Sequence, residues 1–131
     1  MFNEPISLSS IFLIATGAII GSISRMLFIS FFERRRGSIA LSLFSLNVIS
    51  TFLLGYLLAI KESLNPLQHN VLDSFLLIGF IGGFSSFSAF IGEILIYLRN
   101  RKWFQGFIFG ITSVIFSLIA AQAGYRFYFA F

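Results

Sequence analysis

The amino-acid sequence predicts an all-α membrane protein with four transmembrane helices, folded as a single domain over residues 1–131. Three observations lead to this fold class. Hydrophobic residues make up 57% of the chain and charged residues only 11%, whereas a soluble domain is normally about a quarter charged. The apolar residues are gathered into segments long enough to cross the roughly 30 Å hydrocarbon core of a bilayer. The connections between these segments are short and polar, so the chain is expected to act within the membrane.

The predicted spans follow one another closely along the chain. A helix needs about 20 mostly apolar residues to cross a membrane. The segments that meet this requirement are roughly 8–32, 39–60, 71–98 and 103–125. The first segment follows Glu4 and lacks a basic n-region and a small-residue cleavage site, so it is expected to stay in the membrane and not to act as a signal peptide.

Basic residues are distributed unequally between the two sides of these spans. The first and third connections carry six of the nine, namely Arg34, Arg35, Arg36, Arg99, Arg101 and Lys102. The opposite side carries Lys61 and Arg126, and Arg25 lies inside the first span. Because basic loops are retained in the cytoplasm, these two connections are predicted to be cytoplasmic and both termini external. The formal charge of +4 is therefore attributed to membrane-flanking loops and not to nucleic-acid binding.

The residue content excludes several kinds of chemistry. The chain has no cysteine, which excludes disulfides and thiolate metal sites, and its single histidine, His69, cannot form a multi-histidine site. It has no P-loop and no dinucleotide-binding fingerprint. We therefore do not expect an enzyme, or a process driven by ATP or a redox cofactor.

Small residues recur at four-residue intervals on two of the spans. Gly17 and Gly21 lie on the first span, and Gly106 and Gly110 lie on the fourth. Such spacings let helices approach closely, either within one chain or between chains. Four helices leave little interior for a polar pathway, so association into at least a dimer is expected.

The middle of the third span contains poor helix formers. Residues 82–90 read Gly-Gly-Phe-Ser-Ser-Phe-Ser-Ala-Phe. A helix break here would free backbone carbonyls, which suit a hard cation such as Na⁺, whereas helix N-termini and hydroxyls suit an anion. Alternatively, the glycines produce only a kink that eases packing, and these residues alone do not separate the two interpretations.

Polar stripes mark two other spans. Asn47 is followed at three and four residues by Ser50 and Thr51, and Ser113 and Ser117 form a similar stripe on the fourth span. The Asn47 carboxamide carries two donors that are costly to bury without partners. It is expected either to bond a neighbouring helix or to donate to a passing anion.

Two aromatic and two charged residues are further candidates. Phe87 and Phe90 share a helix face after the possible break, and aromatic ring edges carry partial positive charge that can contact an anion. Packing or lipid-facing rings are the alternative. Glu93 and Arg25 are charged residues within spans, where such residues are often functional. Structural pairing, or snorkelling towards the interface, is the alternative for both.

The sequence of the third span resembles a known family. Residues 82–93, Gly-Gly-Phe-Ser-Ser-Phe-Ser-Ala-Phe-Ile-Gly-Glu, look like the motif of the Fluc (CrcB) fluoride channels, which is close to GGxTTFSTFSxE. Residues 17–25 and 46–55 are similar to parts of the first and second spans of that family. The resemblance covers nearly the whole chain in order.

The resemblance implies an antiparallel, dual-topology dimer with two narrow fluoride pathways, each lined by both subunits. It implies a structural Na⁺ on the symmetry axis, bound by backbone carbonyls of Gly82 and Ser85. The residues that it implies for the fluoride pathway are Asn47, Phe87, Ser88, Phe90, Ser113, Glu93 and Arg25. It further implies a multi-pass protein in the plasma (inner) membrane of a prokaryotic cell, which exports cytoplasmic fluoride passively down its gradient and relieves fluoride toxicity.

The chain departs from the family pattern at four positions. The two threonines of the motif are replaced by Ser85 and Ser86, and the threonine before the last phenylalanine is replaced by Ala89. Phe109 stands where tyrosine is frequent in the family. If the lost hydroxyls matter, one of the two pathways is expected to be impaired.

The charge distribution also bears on the expected partner. A homodimer of opposed subunits requires one sequence to insert both ways, which favours balanced loops. Six basic residues against two are not balanced. We therefore expect either a homodimer or a heterodimer with a homologous subunit whose basic residues have the opposite bias.

Two other functions are alternatives to a channel. A small proton-coupled multidrug exporter would also have four short spans, but it needs a membrane-embedded carboxylate, and Glu93 is the only deep candidate. A non-transporting membrane assembly subunit would use the glycines and polar stripes only for helix packing.

Overall fold

The computed structural model describes residues 7–64 and 71–131, and all the regular structure in these ranges is helical. The helices in chain order are α1 (Leu8–Arg36), α2 (Ile39–Ser63), α3 (Leu72–Ile81), α4 (Gly82–Phe84), α5 (Phe87–Arg99) and α6 (Trp103–Ala130). The stretch from α3 to α5 is the third span. Within the described ranges, four segments are long and apolar enough to cross a membrane. The predicted all-α class with four such helices is confirmed, while Glu4 and His69 lie outside the described residues.

Capping residues set the boundary between the first two spans. Ser7 precedes α1, and its hydroxyl accepts a hydrogen bond from the N–H of Ser10 at 3.2 Å. Gly37 ends α1 with φ of 66°, a left-handed conformation that favours glycine, and its N–H donates to the Glu33 carbonyl at 2.7 Å. Ser38 then caps α2. The connection is therefore shorter than predicted, because residues 33–36 complete the last turn of α1.

The first and third spans pack as a parallel pair. Gly17 lies against the backbone of Phe75, and Gly21 lies one turn further on against Phe80, so both helices advance in the same direction. A Cβ at either glycine would overlap a carbonyl oxygen of α3. These small residues therefore permit a contact within the chain, which is one of the two roles predicted for them. The winding of α3 as a π-helix had no counterpart in the sequence analysis.

The second and fourth spans form the other parallel pair, because Phe44 packs against Phe116 and, further along both helices, Ser63 lies beside Tyr128. A Cβ on Gly55 would overlap the carbonyl oxygen of Ala121, and a Cβ on Gly124 would overlap that of Phe52. The two backbones are therefore as close as glycine allows.

The predicted small residues Gly106 and Gly110 face Tyr97 and Ile94 of α5, so they also pack within the chain.

Polar side chains tie the helix ends together where α2 meets α3 and α6. Lys61 of α2 forms an ion pair with Asp73 of α3 at 2.7 Å. Glu62 accepts a hydrogen bond from the hydroxyl of Tyr125, and the hydroxyls of Ser63 and Tyr128 lie 2.6 Å apart. We call this group of side chains the α2 end cluster.

Much of the apolar surface of the spans is left uncovered. Phe12, Leu118 and Phe107 are 69%, 67% and 66% exposed. At most 28% of the most apolar stretch of any span is buried within the chain. A soluble monomer rarely exposes contiguous apolar surface of this kind, so lipid or another subunit is needed to cover it.

Candidate functional site

The centre of the third span contains two residues in extended conformation. α4 ends at Phe84, Ser85 follows with φ −75° and ψ 149°, and Ser86 with φ −143° and ψ 103°. The hydroxyl of Ser86 accepts a hydrogen bond from the N–H of Ala89 at 3.3 Å and so caps α5. The preceding glycines and the two serines are weak helix formers, which accounts for the local geometry.

A concave pocket of about 390 Å³ lies beside this segment, between α2, α5 and α6. We call it the central pocket. Its polar lining comes from three parts of the fold, namely Asn47, Ser50 and Thr51 on α2, Ser85 and Ser86 on the third span, and Ser113 and Ser117 on α6. The rest of its wall is apolar, and the residues that form it are Leu54, Phe87, Phe90, Val114, Leu118 and Ala121.

The α2 stripe presents the Asn47 side chain to the central pocket. The hydroxyls of Ser50 and Thr51 donate to the Asn47 carbonyl oxygen at 3.0 and 2.8 Å, so their protons are already used by the backbone. The Asn47 carboxamide is half-buried, and within the described residues it has no hydrogen-bond partner. Its two N–H donors are therefore available to a group in the pocket.

Ser113 contributes a hydroxyl that is buried without a partner. The residue is 2% exposed, and its Oγ has no hydrogen-bond partner among the described residues. A buried polar group left unpaired costs about 1–3 kcal/mol. Because Ser113 lines the central pocket, a bound ligand that accepts its proton would remove this cost.

Two phenylalanine rings border the same pocket with very different exposure. Phe87 is 76% exposed and Phe90 is 8% exposed, and their ring centroids are 6.2 Å apart. Phe90 also packs against Phe109 of α6, with centroids 5.6 Å apart. The buried ring is therefore held in place by its neighbours, while Phe87 projects from the chain.

Four predicted site residues lie outside the lining of the central pocket. Ser88 is exposed, and its hydroxyl is 3.2 Å from that of Ser86. Glu93 and Arg25 are half-buried and do not pair, since the ion pair between Lys61 and Asp73 is the one found among the described residues. Gly82 has open space beside its Cα.

Part of the apolar wall of the central pocket was not predicted from the sequence. Val114 and Leu118 line the pocket with Ser113 and Ser117. Helical periodicity could have indicated them, because residues spaced by three or four positions share a helix face. Apolar residues occupy every face of these helices, so their spacing does not identify a pocket. The spacing of the serines does, because polar residues are rare in the spans.

The central pocket combines hydroxyl and amide donors with an apolar wall. Among the described residues, no ionisable side chain lines it. Neutral donors in a low-dielectric site attract a small anion through hydrogen bonds, and they avoid the trapping effect of a full opposite charge.

Comparison with protein families gives the observation that assigns this chain. Residues 12–125 match the family model described as CrcB-like protein, Camphor Resistance (CrcB). The chain belongs to the CrcB family. The match runs from α1 through most of α6, and it confirms the resemblance seen in the third span.

Curated relatives of this CrcB chain carry a common name. The "Fluoride-specific ion channel FluC 1" of Prochlorococcus marinus (strain MIT 9313) is 31% identical over 114 residues, which is 86% of each chain. The "Fluoride-specific ion channel FluC" of Campylobacter fetus subsp. fetus is 30% identical over 121 residues, 91% of this chain and 93% of that protein. The "Fluoride-specific ion channel FluC 1" of Parasynechococcus marenigrum (strain WH8102) is 34% identical over 113 residues, 86% of this chain and 88% of that protein.

Proposed function

We propose that this chain is a subunit of a fluoride-selective channel that lets cytoplasmic fluoride leave a prokaryotic cell across its plasma membrane. The observation that carries the proposal is the hydroxyl of Ser113, which is buried in a neutral polar pocket and has no hydrogen-bond partner among the residues that the structure describes. The names of its relatives support fluoride as the ion.

The lining of the central pocket suits fluoride for a physical reason. Fluoride is small and strongly hydrated, so a pathway must replace its water with several donors. Asn47 and Ser113 supply free donors, and the edges of Phe87 and Phe90 supply weaker positive charge. Because none of these groups is ionised, the ion can also leave. Passive flow down the gradient then requires no further machinery.

A second subunit is needed to close this pathway. Phe87 borders the pocket yet is 76% exposed, and this exposure supports a partner that packs over it. We propose the antiparallel arrangement, in which each of two opposed subunits contributes to two pathways. Ser88, Glu93 and Arg25, which do not line the central pocket of one chain, would meet the ion in the completed dimer.

We further propose that the extended segment of the third span helps to bind a structural Na⁺. Its backbone bonds run from the Ser85 N–H to the Ile81 carbonyl and from the Phe90 N–H to the Ser86 carbonyl. Among the described residues, none of the bonds across this segment uses the carbonyl oxygens of Gly82 or Ser85. Neutral carbonyl oxygens fit a hard monovalent cation. Its charge would hold two opposed segments together at the dimer axis.

The charge distribution supports a heterodimer over a homodimer. Arg34, Arg35 and Arg101 are exposed at the end formed by the first and third connections. At the other end, Lys61 is paired with Asp73, which reduces the opposing charge further. We propose that this chain inserts in one orientation and pairs with a homologous subunit that inserts in the other.

The proposal is tested by fluoride efflux from liposomes. The chain alone and the chain co-expressed with a homologue of opposite charge bias are compared, with Phe87→Ile and Asn47→Ala variants of each. Fluoride efflux that exceeds chloride efflux and falls in both variants is expected from the co-expressed pair. Absence of fluoride efflux from both preparations would reject the channel, and full efflux from the chain alone would reject the heterodimer.

A proton-coupled exporter is less compatible with this geometry. Such a protein needs a carboxylate in its substrate site, and Glu93 does not line the central pocket. An assembly subunit would leave the Ser113 hydroxyl without a role.

A further inference from the structure

A second pocket of about 500 Å³ lies near the opposite end of α6 from the α2 end cluster. We call it the lateral pocket. Four apolar side chains form most of its wall, and these are Phe44 of α2 and Phe104, Ile108 and Phe109 of α6. Its apolar character suits a flexible hydrocarbon chain.

The lateral pocket is separate from the central pocket. Among the described residues, the two pockets share no lining residue. Phe90 of the central pocket and Phe109 of the lateral pocket stand between them as a tilted pair, with ring centroids 5.6 Å apart. Successive residues turn by about 100° around a helix. Ile108 and Thr112 therefore face one flank of α6, and Ser117 faces the other. An occupant of the lateral pocket would therefore lie outside the central pocket.

One end of the lateral pocket adjoins basic residues. Tyr97 lines it two positions before Arg99, and Phe104 lines it two positions after Lys102. Arg99, Arg101 and Lys102 are exposed, and within the described residues none of them forms an ion pair. The positive charge at this end therefore lacks an anionic partner in the part of the chain that the structure describes.

Two uncharged polar side chains also belong to the lining of the lateral pocket. Gln105 and Tyr97 line the pocket, and among the described residues no hydrogen bond engages their polar atoms. An amide N–H and a phenol O–H at this depth are suited to the ester and phosphate oxygens of a lipid.

We propose that the lateral pocket binds an anionic phospholipid. Its acyl chain lies along Phe44, Phe104 and Ile108, and its phosphate is attracted by Arg101 and Lys102. Charge complementarity selects this occupant, since a cluster of basic side chains at a membrane surface favours anionic headgroups. The proposal requires only that the chain spans a membrane, and it does not depend on which ion the central pocket conducts.

Trp103 provides a probe at this site. It is the only tryptophan of the chain, it is 65% exposed, and it immediately precedes Phe104 of the pocket wall. The full chain is placed in bilayers containing dibrominated phosphatidylglycerol or dibrominated phosphatidylcholine, and quenching of its fluorescence is measured. We expect a preference for phosphatidylglycerol of about fivefold or more, because each basic side chain near an anionic surface contributes roughly that factor.

Matched variants separate the headgroup contact from the acyl-chain contact. The double variant Arg101→Asn, Lys102→Gln is expected to lose the preference, and asparagine is chosen because Arg101 has φ of 57°. Arg126→Gln, at the opposite end of α6, should keep it. Thr112→Phe fills the pocket and should weaken quenching by both lipids, whereas Ile119→Phe, exposed on the same helix outside the pocket, should not.

The same measurement defines the results that overturn the proposal. Equal quenching by the two lipids would mean that no anionic headgroup is selected. Absence of quenching by either lipid would mean that a partner subunit covers the pocket. If the double variant keeps the preference for phosphatidylglycerol, that preference does not arise from Arg101 and Lys102 at this site.

Discussion

The hydroxyl of Ser86 accepts a hydrogen bond from the backbone N–H of Ala89 at 3.3 Å, and this bond starts α5. The helix that begins there carries Phe87 and Phe90 at the border of the central pocket. The cap therefore links the local conformation of the third span to the position of both rings.

Replacement of Ser86 by alanine should lower both stability and fluoride efflux. Loss of an N-cap costs about 1 kcal/mol, and the first turn of α5 would no longer be held. Thermal unfolding in detergent and efflux from liposomes measure the two effects. Ser86→Thr retains a capping hydroxyl and is the control, and equal behaviour of the two variants would contradict the role assigned to the cap.

Replacement of Ser113 by alanine should affect stability and transport in opposite ways. The variant removes a buried hydroxyl that has no partner in the described structure, so unfolding should occur at the same or a higher temperature. Fluoride efflux should fall about tenfold, because a donor to the ion is lost. Ser45→Ala, half-buried on α2 outside both pockets, should leave efflux unchanged. Unchanged efflux in Ser113→Ala would remove this hydroxyl from the pathway.

Glycine substitutions should distinguish close contacts from open positions. Gly55→Ala places a Cβ against the Ala121 carbonyl oxygen, so α2 and α6 must separate and thermal stability should fall. Gly92→Ala meets no atom within 4 Å and lies inside α5, where alanine is favoured by about 1 kcal/mol. Its stability should be equal or higher. Similar losses in both variants would contradict the packing of α2 on α6.

The orientation of the chain in the membrane should respond to its basic connections. A Phe131→Cys variant has a unique thiol, since the natural sequence has no cysteine, and an impermeant maleimide should label it from outside the cell. Replacing Arg34 and Arg35 by glutamine reduces the excess of basic residues on the predicted cytoplasmic side, and this change should place part of the protein in the reverse orientation. Equal labelling from both sides before this change would contradict the proposed single orientation.

The starts of the helices were predicted well, and their ends less well. The predicted starts at residues 8, 39 and 103 coincide with those of α1, α2 and α6. Predicted ends at 32, 60 and 125 fall short of Arg36, Ser63 and Ala130. Hydropathy detects the part of a helix that lies in hydrocarbon, whereas charged and aromatic residues continue the helix into the interface.

The candidate site was predictable in its parts and not in its assembly. Helical spacing identified the stripes of Asn47 and Ser113, but periodicity within one helix cannot show that two stripes face a single pocket. The packing of Gly55 and Gly124 between α2 and α6 brings them together. The buried state of the Ser113 hydroxyl also depends on this packing, so no local pattern could indicate it.

The α2 end cluster has a mechanical consequence. Lys61, Glu62 and Ser63 are consecutive residues of α2. Lys61 forms an ion pair with α3, which belongs to the other helix pair, whereas Glu62 and Ser63 form hydrogen bonds with α6, which belongs to the same pair as α2. The ion pair between Lys61 and Asp73 therefore links the two helix pairs at one rim of the bundle. At the far rim, beside Arg101 and the lateral pocket, the short connections after α1 and after α5 join the same two pairs covalently. Rocking of one pair against the other is therefore restrained at both ends of the bundle.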